Sequence, residues 1–272
     1  MGSVNLDNTG SGSAITLSSD GTSLLLDGTA VGGGGDPALY RDNASGATTP
    51  SATGSGSVAI GGSARAYSTD SLAIGLQSYA SGTKATALGY ASSASGTGSI
   101  AIGNSTATAF LGSSFGEYAL SESQGKYSYA SGRFGSTEGS AQTGTYVLRA
   151  DTTDATPEGL TTRNNGGVQS DNQVNLPNNS AYAFSGTIVG RESAASGTEC
   201  AAWKVEGLIR REGSASTTVL VNSATTVLNN APSWGMALSA DTTNGALQIT
   251  VTGAAKTIRW VGAITTTELI HA

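Results

Sequence analysis

Apolar and polar residues alternate in short bursts along this chain, and between residues 57 and 103 the bursts keep a fixed beat. Ser57-Val58-Ala59-Ile60-Gly61 returns fourteen residues later as Ser71-Leu72-Ala73-Ile74-Gly75, then as Ala85-Thr86-Ala87-Leu88-Gly89 and Ser99-Ile100-Ala101-Ile102-Gly103. Smaller segments such as Ser63-Ala64-Arg65-Ala66 and Ser78-Tyr79-Ala80-Ser81-Gly82 lie between the copies. A short period with Gly at a constant phase predicts a β-solenoid, each coil stacked on the last. Period-two alternation sets Val58, Leu72 and Ile100, with Ile60, Ile74, Leu88 and Ile102, on one face, predicted here as the core inside each coil. The residue between them is Ala59, Ala73, Ala87 or Ala101. A free solvent face would tolerate polar residues there, so the alanines are expected to meet a neighbouring subunit, with coil-to-coil packing as the other reason for alanine. After Ala109 the beat loosens, as it does in capping coils. Ser114-Phe115-Gly116 comes one residue early, and Tyr129-Ala130-Ser131-Gly132 resumes the Tyr79–Gly82 element. About six coils at roughly 4.8 Å each give a rod on the order of 30 Å long.

The flanks follow other patterns. Residues 14–26 predict a hairpin: Ile15 and Leu17, the turn Asp20-Gly21, then Leu24 and Leu26. Residues 1–35 form this N-terminal attachment hairpin and a glycine-rich neck, 36–53 a linker and 54–143 the repeat shaft. Residues 144–179 are expected to be a polar connector with a short strand at 145–149. From 180 to 272 long alternating strands return. Tyr182, Phe184 and Ile188 share a face, as do Trp203, Val205 and Ile209. Val219 and Val221 follow, then Trp234, Met236 and Leu238. The turn Asn244-Gly245 leads to Leu247, Ile249 and Val251, then to Ile258 and Trp260. Short turn-rich connections predict an antiparallel β-sandwich, so the fold class is all-β.

The Ser-Val-Ala-Ile-Gly / Ala-x-Ala / Ala-Ser-Gly repeat of residues 54–142 resembles the head of the YadA-type trimeric adhesins. That resemblance implies a left-handed parallel β-roll wound with two others into a homotrimer, with the constant alanines near the threefold axis. The segments Leu176 to Gly186 and Ala240 to Gly253 resemble a C-terminal module of phage fibre proteins.

Composition narrows the function. Charged residues are 12% of the 272, Gly numbers 39, and the net charge is −6. Such small side chains bury little in one chain, which favours association of several. An acidic chain offers no clustered Lys and Arg for nucleic acid. No apolar run is long enough for a membrane helix. Cys200 is the lone cysteine, expected to be a small core residue, with pairing between subunits left open.

Catalytic chemistry finds little to use. His271, the one histidine, is next to last, and no nucleophile elbow or phosphate loop occurs. Asp151, Asp154 and Glu158 are a carboxylate cluster read as a solvated connector. Asp20, Asp27 and Asp36 fit no calcium loop. The expectation is a non-enzyme without cofactor or metal. Candidate receptor contacts are Tyr79 and Tyr90, in phases held by small or polar residues elsewhere and with packing across a subunit groove as their other reading, and Arg210 and Arg211, placed with Glu192 near the 193–199 loop. The three tryptophans are assigned to the core.

The start at Met1 lacks the basic and apolar regions of a secretion signal, and the end lacks an anchor barrel. A trimeric phage tail fibre is therefore expected, made in the host cytoplasm and carried on the virion. It would attach to tail, baseplate or capsid proteins by its N-terminus and bind a host-surface glycan or protein through the C-terminal domain. The alternatives are a structural virion component, such as a capsid fibre or baseplate adaptor, and a fragment of a bacterial trimeric adhesin.

Overall fold

The computed structural model describes residues 48–164, 167–194, 197–229 and 234–271, with the backbone of four short strands before them. Those four, Val4–Leu6 (β1), Ile15–Ser19 (β2), Leu24–Leu26 (β3) and Thr29–Val31 (β4), form an antiparallel meander in chain order. The expected hairpin is its central pair, with Leu17 opposite Leu26. Asp20-Gly21, Asp27, the Gly32–Gly35 neck and Asp36 lie outside the described residues.

The shaft is two parallel ladders joined by turns. One holds Val58–Ile60 (β6), Leu72–Ile74 (β8) and Thr86–Leu88 (β10); the other holds Ser51–Ala52 (β5), Arg65–Ala66 (β7), Tyr79–Ala80 (β9) and Ser93–Ala94 (β11). Ile100–Ala107 (β12) and Ser113–Ser121 (β13) each run through both ladders, and Tyr127–Ser131 (β14) closes the first. Ile100 pairs with Ser113, one residue short of the fourteen-residue step, so the early Phe115 stays in the column of Ile102. Corner geometry explains the constant glycines. Gly75 sits at φ +124, and a Cβ there would lie 2.3 Å from the carbonyl oxygen of Gly89 in the next coil. Only a residue without Cβ permits that stacking.

Burial inverts the expected assignment of the two faces. Ala59, Ala73, Ala87 and Ala101 are fully buried and belong to a coil interior whose apolar residues are all alanines, with Ala52, Ala64, Ala66, Ala80, Ala85, Ala94 and Ala107. Serines complete that interior: Ser57 Oγ donates to the Gly54 carbonyl at 2.7 Å and Ser71 Oγ to that of Ser68 at 2.7 Å. Val58, Ile60, Leu72, Ile74, Ile100 and Ile102 are only half-buried, and Leu88 is exposed; they point out of the coil. The expected repeat core therefore points outward, and the alanines expected at a subunit interface form the coil interior instead. The reason is width. Two ladders joined by such short turns stand too close for anything larger than a methyl or hydroxymethyl group between them.

Beyond the shaft, the first ladder runs directly into a five-stranded antiparallel sheet. Ala141–Thr152 (β15) pairs with β14 on one side. On its other side Ile258–Ile270 (β23), Ser180–Glu192 (β18), Cys200–Arg211 (β19) and Val219–Asn229 (β20) follow in that spatial order. A smaller sheet is built from Glu158–Gly159 (β16), Val174–Asn175 (β17), Gly235–Asp241 (β21) and Ala246–Thr252 (β22). Between the two sheets lies one core. Tyr146, Leu148, Tyr182, Phe184, Ile188, Trp203, Val205 and Trp260 come from the large sheet, and Leu247, Ile249 and Val251 from the small one. The three tryptophans meet there, with ring centroids of Trp203 and Trp234 at 6.0 and 5.4 Å from that of Trp260. Trp260 Nε1 donates to Thr152 Oγ1 at 3.0 Å.

Three further expectations change. The segment 144–179 is no separate connector, since β15 spans twelve residues and Tyr146, Leu148, Leu160, Val174 and Leu176 are all core. Val219 and Val221 face solvent, because Leu220 takes the inward phase of the edge strand. Cys200 is exposed, one residue out of phase with buried Ala201 at the start of β19.

Candidate functional site

The feature that sets this molecule apart is the outward face of its long sheet. Strand register carries the column of Val58, Leu72, Thr86 and Ile100 on through Ser113 and Tyr127 to Thr145 and Thr265. The neighbouring column, Ile60, Ile74, Leu88 and Ile102, continues through Phe115 and Tyr129 to Thr143 and Thr267. No charged side chain occurs along either run. Phe115 and Tyr127 stack at 4.9 Å with 29° between their planes. The face thus begins aliphatic, turns aromatic over the last coils, and becomes threonine-rich on the large sheet. Contiguous uncharged apolar surface of this kind marks an interaction face far more often than a bare monomer surface.

The other candidates scatter. Tyr79, in the second ladder, is half-buried and meets Tyr67 edge-on at 5.7 Å and 89°. Tyr90 is 57% exposed on a coil corner, where a shallow groove also takes in Asn104, Glu117, Tyr118 and Tyr129. The Arg133 guanidinium carbon lies over the Tyr118 ring, 3.8 Å from its centre. Arg210 and Arg211 end β19, whereas the 193–199 loop precedes that strand, so the expected rim cluster does not form. Arg210 pairs with Glu212 on the surface. Arg211 is structural: its Nη1 donates to the Leu176 carbonyl at 2.6 Å, and its guanidinium covers Gly245. Near the loop itself Lys256 bridges Glu199 at 2.9 Å and Glu192 at 3.6 Å.

Among the described residues, exposed aromatics are confined to the shaft and the segment just after it. They are Tyr67, Tyr90, Phe110, Tyr127, Tyr129 and Phe134; the described aromatics after residue 141 are buried. Asp154 and Glu158 lie on the surface, and Asp151 accepts a hydrogen bond from Asn164 Nδ2 at 2.7 Å. His271 is exposed, its backbone N–H donating to the Asn179 carbonyl at 2.9 Å. Among the described residues no group of three or more His, Cys, Asp or Glu side chains could hold a metal ion. Likewise among them, no helix is long and apolar enough to cross a membrane.

At the junction of shaft and large sheet sits a polar cluster that reading the sequence missed. Lys126 and Glu268 are both buried and pair at 2.6 Å. Lys126 occupies the coil phase of Ser57, Ser71 and Ser99, so extending the repeat by two coils would have pointed it inward. Tyr146 and Tyr182 flank it, ring centres 5.7 and 5.8 Å from Nζ. Burial, and secondarily the Glu268 charge, hold both phenols well above the ordinary tyrosine range.

The turn residues that follow Ala240 are equally structural. Asp241 Oδ1 accepts the backbone N–H groups of Thr243 and Asn244 at 2.9 Å, and Oδ2 accepts Asn244 Nδ2 at 2.7 Å and Gln173 Nε2 at 2.9 Å. Burial pushes the Asp241 carboxyl upward, but these bonds outweigh it and hold it below its usual range.

Comparison with known proteins agrees with the shaft. The YadA head domain repeat matches residues 52–78 and again 80–106, so these residues carry two copies of it. No curated protein matches the chain. Among solved structures, tailspike protein gp49 of Acinetobacter baumannii bacteriophage Fri1, a capsular polysaccharide depolymerase, aligns at 13% identity and TM-score 0.29 over 48% of this chain and 18% of its own. The tailspike of Acinetobacter baumannii phage AM24 aligns at 10% identity and TM-score 0.25 over 77% of this chain and 42% of its own. The chain thus spans less than half the length of either, and overlap this slight carries no inference about activity.

Proposed function

We propose that this chain is one strand of a homotrimeric fibre of a phage particle, a binding protein rather than an enzyme. The observation that carries the reading is the uncharged outer face. Its two apolar columns are uncovered in a single chain, and they lie in the very strands that bear the YadA head repeats. Three copies meeting along this face would remove the aliphatic columns from water and hide the ladder that one chain leaves bare. The phage assignment leans on the likeness of Leu176–Gly186 and Ala240–Gly253 to fibre modules. Light scattering on the purified chain is expected to give three copies, and Ile74→Glu, which puts a charge in the middle of the face, is expected to give monomers. A wild-type monomer at micromolar concentration would sink the reading.

Host-surface binding follows from the exposed aromatics, since sugar rings stack their apolar faces on such side chains. The large sheet's domain buries its aromatics, so the contact belongs at the coil corner around Tyr90, Asn104 and Glu117 rather than on the tryptophans. Trimerisation multiplies a weak contact through avidity. Tyr90→Ala is expected to reduce binding to host cells at least tenfold while leaving three copies together. Wild-type fibres that bind no host cell would instead favour a structural virion component, with the N-terminal meander docked on tail or capsid.

A further inference from the structure

The junction cluster holds the parts of a self-made covalent bond. Lys126 Nζ and Gln142 Nε2 each lie 2.6 Å from the same oxygen, Glu268 Oε2. Amine and amide are therefore within about 5 Å of each other, bridged by one carboxylate. The Gln142 carbonyl is already polarised: Leu120 N–H donates to its Oε1 at 2.9 Å, while the Leu120 carbonyl accepts from Nε2 at 3.0 Å. The second carboxylate oxygen is fixed by Thr266 Oγ1 at 2.6 Å. Lys126, Gln142 and Glu268 are 4%, 8% and 2% exposed, and the rings of Tyr146 and Tyr182 flank the amine.

We propose that Lys126 and Gln142 join through an isopeptide bond, with Glu268 moving the protons. In so dry a site the charged pair is costly, and passing a proton from Nζ to Oε2 leaves a neutral amine and a neutral acid. The amine attacks Cδ of Gln142, and the developing oxyanion keeps the Leu120 N–H as its donor. Glu268 gives its proton to Nε2 and takes one from the attacking nitrogen, the C–N bond to Nε2 breaks, and ammonia leaves. Ammonia carries away the surplus proton as ammonium, so an ammonium side chain plus a primary amide become a secondary amide plus ammonium, with no oxidant or co-reactant. A cavity of about 110 Å³ beside Lys126, Gln142 and Glu122 gives the product a way out. The bond would tie the last coil to β15, so that pulling on the shaft loads a covalent link instead of the loop between them.

Mass spectrometry of the denatured full-length chain decides the matter. The expected mass is one ammonia, about 17 Da, below that of the sequence, and digestion should yield a branched peptide joining the Lys126 and Gln142 segments. Glu268→Gln should fold and keep the ammonia, whereas Val219→Ala, on the solvent face of the edge strand, should lose it as wild type does. A full-sequence mass overturns the proposal and leaves a simple buried ion pair. A deficit of one water, about 18 Da, overturns it too, by making Glu268 the acyl partner of Lys126. Neither readout depends on whether the fibre binds a host.

Discussion

Shaft and sandwich are parts of one continuous sheet, yet they bury opposite kinds of side chain. The sandwich encloses Trp203, Trp234, Trp260 and a set of isoleucines and leucines between two sheets. The shaft encloses alanine methyls and serine hydroxyls until Lys126 enters its last coil, and its isoleucines, valine and leucines stand outside. A buried large side chain contributes roughly 1.5–3 kcal/mol and a methyl much less. The sandwich therefore has the means to fold within one chain, whereas the shaft leaves its larger apolar side chains in outer columns that one chain does not cover. One region buries its large side chains within the chain, and the other presents them on the face through which the proposed trimer would form.

The sharpest way to break this contrast is to damage only the sandwich. Trp260→Ala removes the ring at the centre of the tryptophan cluster and the partner of Thr152, and should cost about 3–5 kcal/mol. The thermal melt should then split in two. The lower transition, from the sandwich, should not depend on protein concentration. The upper one, from the shaft, should rise with concentration as mass action requires of an oligomer. A shaft transition indifferent to concentration would show that the coils stand alone.

A smaller effect reports on the boundary between the regions. Tyr146 and Tyr182 stay protonated in the folded chain well above the ordinary phenol value, first through burial and then through the Glu268 charge. Unfolded, both ionise near pH 10. Above that pH the unfolded state binds fewer protons than the folded one, so stability is intact below about pH 10 and falls as pH rises beyond it, by up to ~1.4 kcal/mol per pH unit for each phenol. Alkaline denaturation followed by tyrosine absorbance should show this slope, and Tyr182→Phe should roughly halve it. A slope unchanged in that variant would place the alkaline transition elsewhere.

How legible was all this in the chain? The fourteen-residue beat of Val58, Leu72 and Ile100 revealed the coils, and the turn Asn244-Gly245 revealed the β21–β22 hairpin, because both depend on local chemistry. Alternation alone could not say which phase was inside. Large apolar residues normally mark the interior, and only the narrow gap between the ladders reverses that rule for Ala59 and Ile60. The polar stretch after Thr152 concealed Leu160 and Val174, two isolated core residues too sparse to form a pattern. Arg211 looked like a rim contact because sequence cannot show that Leu176 and Gly245 lie beneath it. The Lys126–Glu268 pair joins residues far apart in the chain, and the signal on the Lys126 side was phase alone.

The finest test falls on the one irregular position in the aliphatic columns. Thr86 stands where the adjacent coils have Leu72 and Ile100, with Leu88 beside it the most exposed residue of the set. Thr86→Val exchanges a hydroxyl for a methyl at nearly constant shape. If water bathes the face, that exchange should leave the melting temperature unchanged. If another copy covers it, the hydroxyl is an unpaired polar group in an apolar contact, and its removal should stabilise each protomer by roughly 0.5–1 kcal/mol. Three equivalent positions in a trimer would add these small gains into a measurable rise in the shaft transition, with the sandwich transition unmoved. A fall in the shaft transition would mean that the hydroxyl is satisfied across the interface, and would identify Thr86 as a point of register between chains.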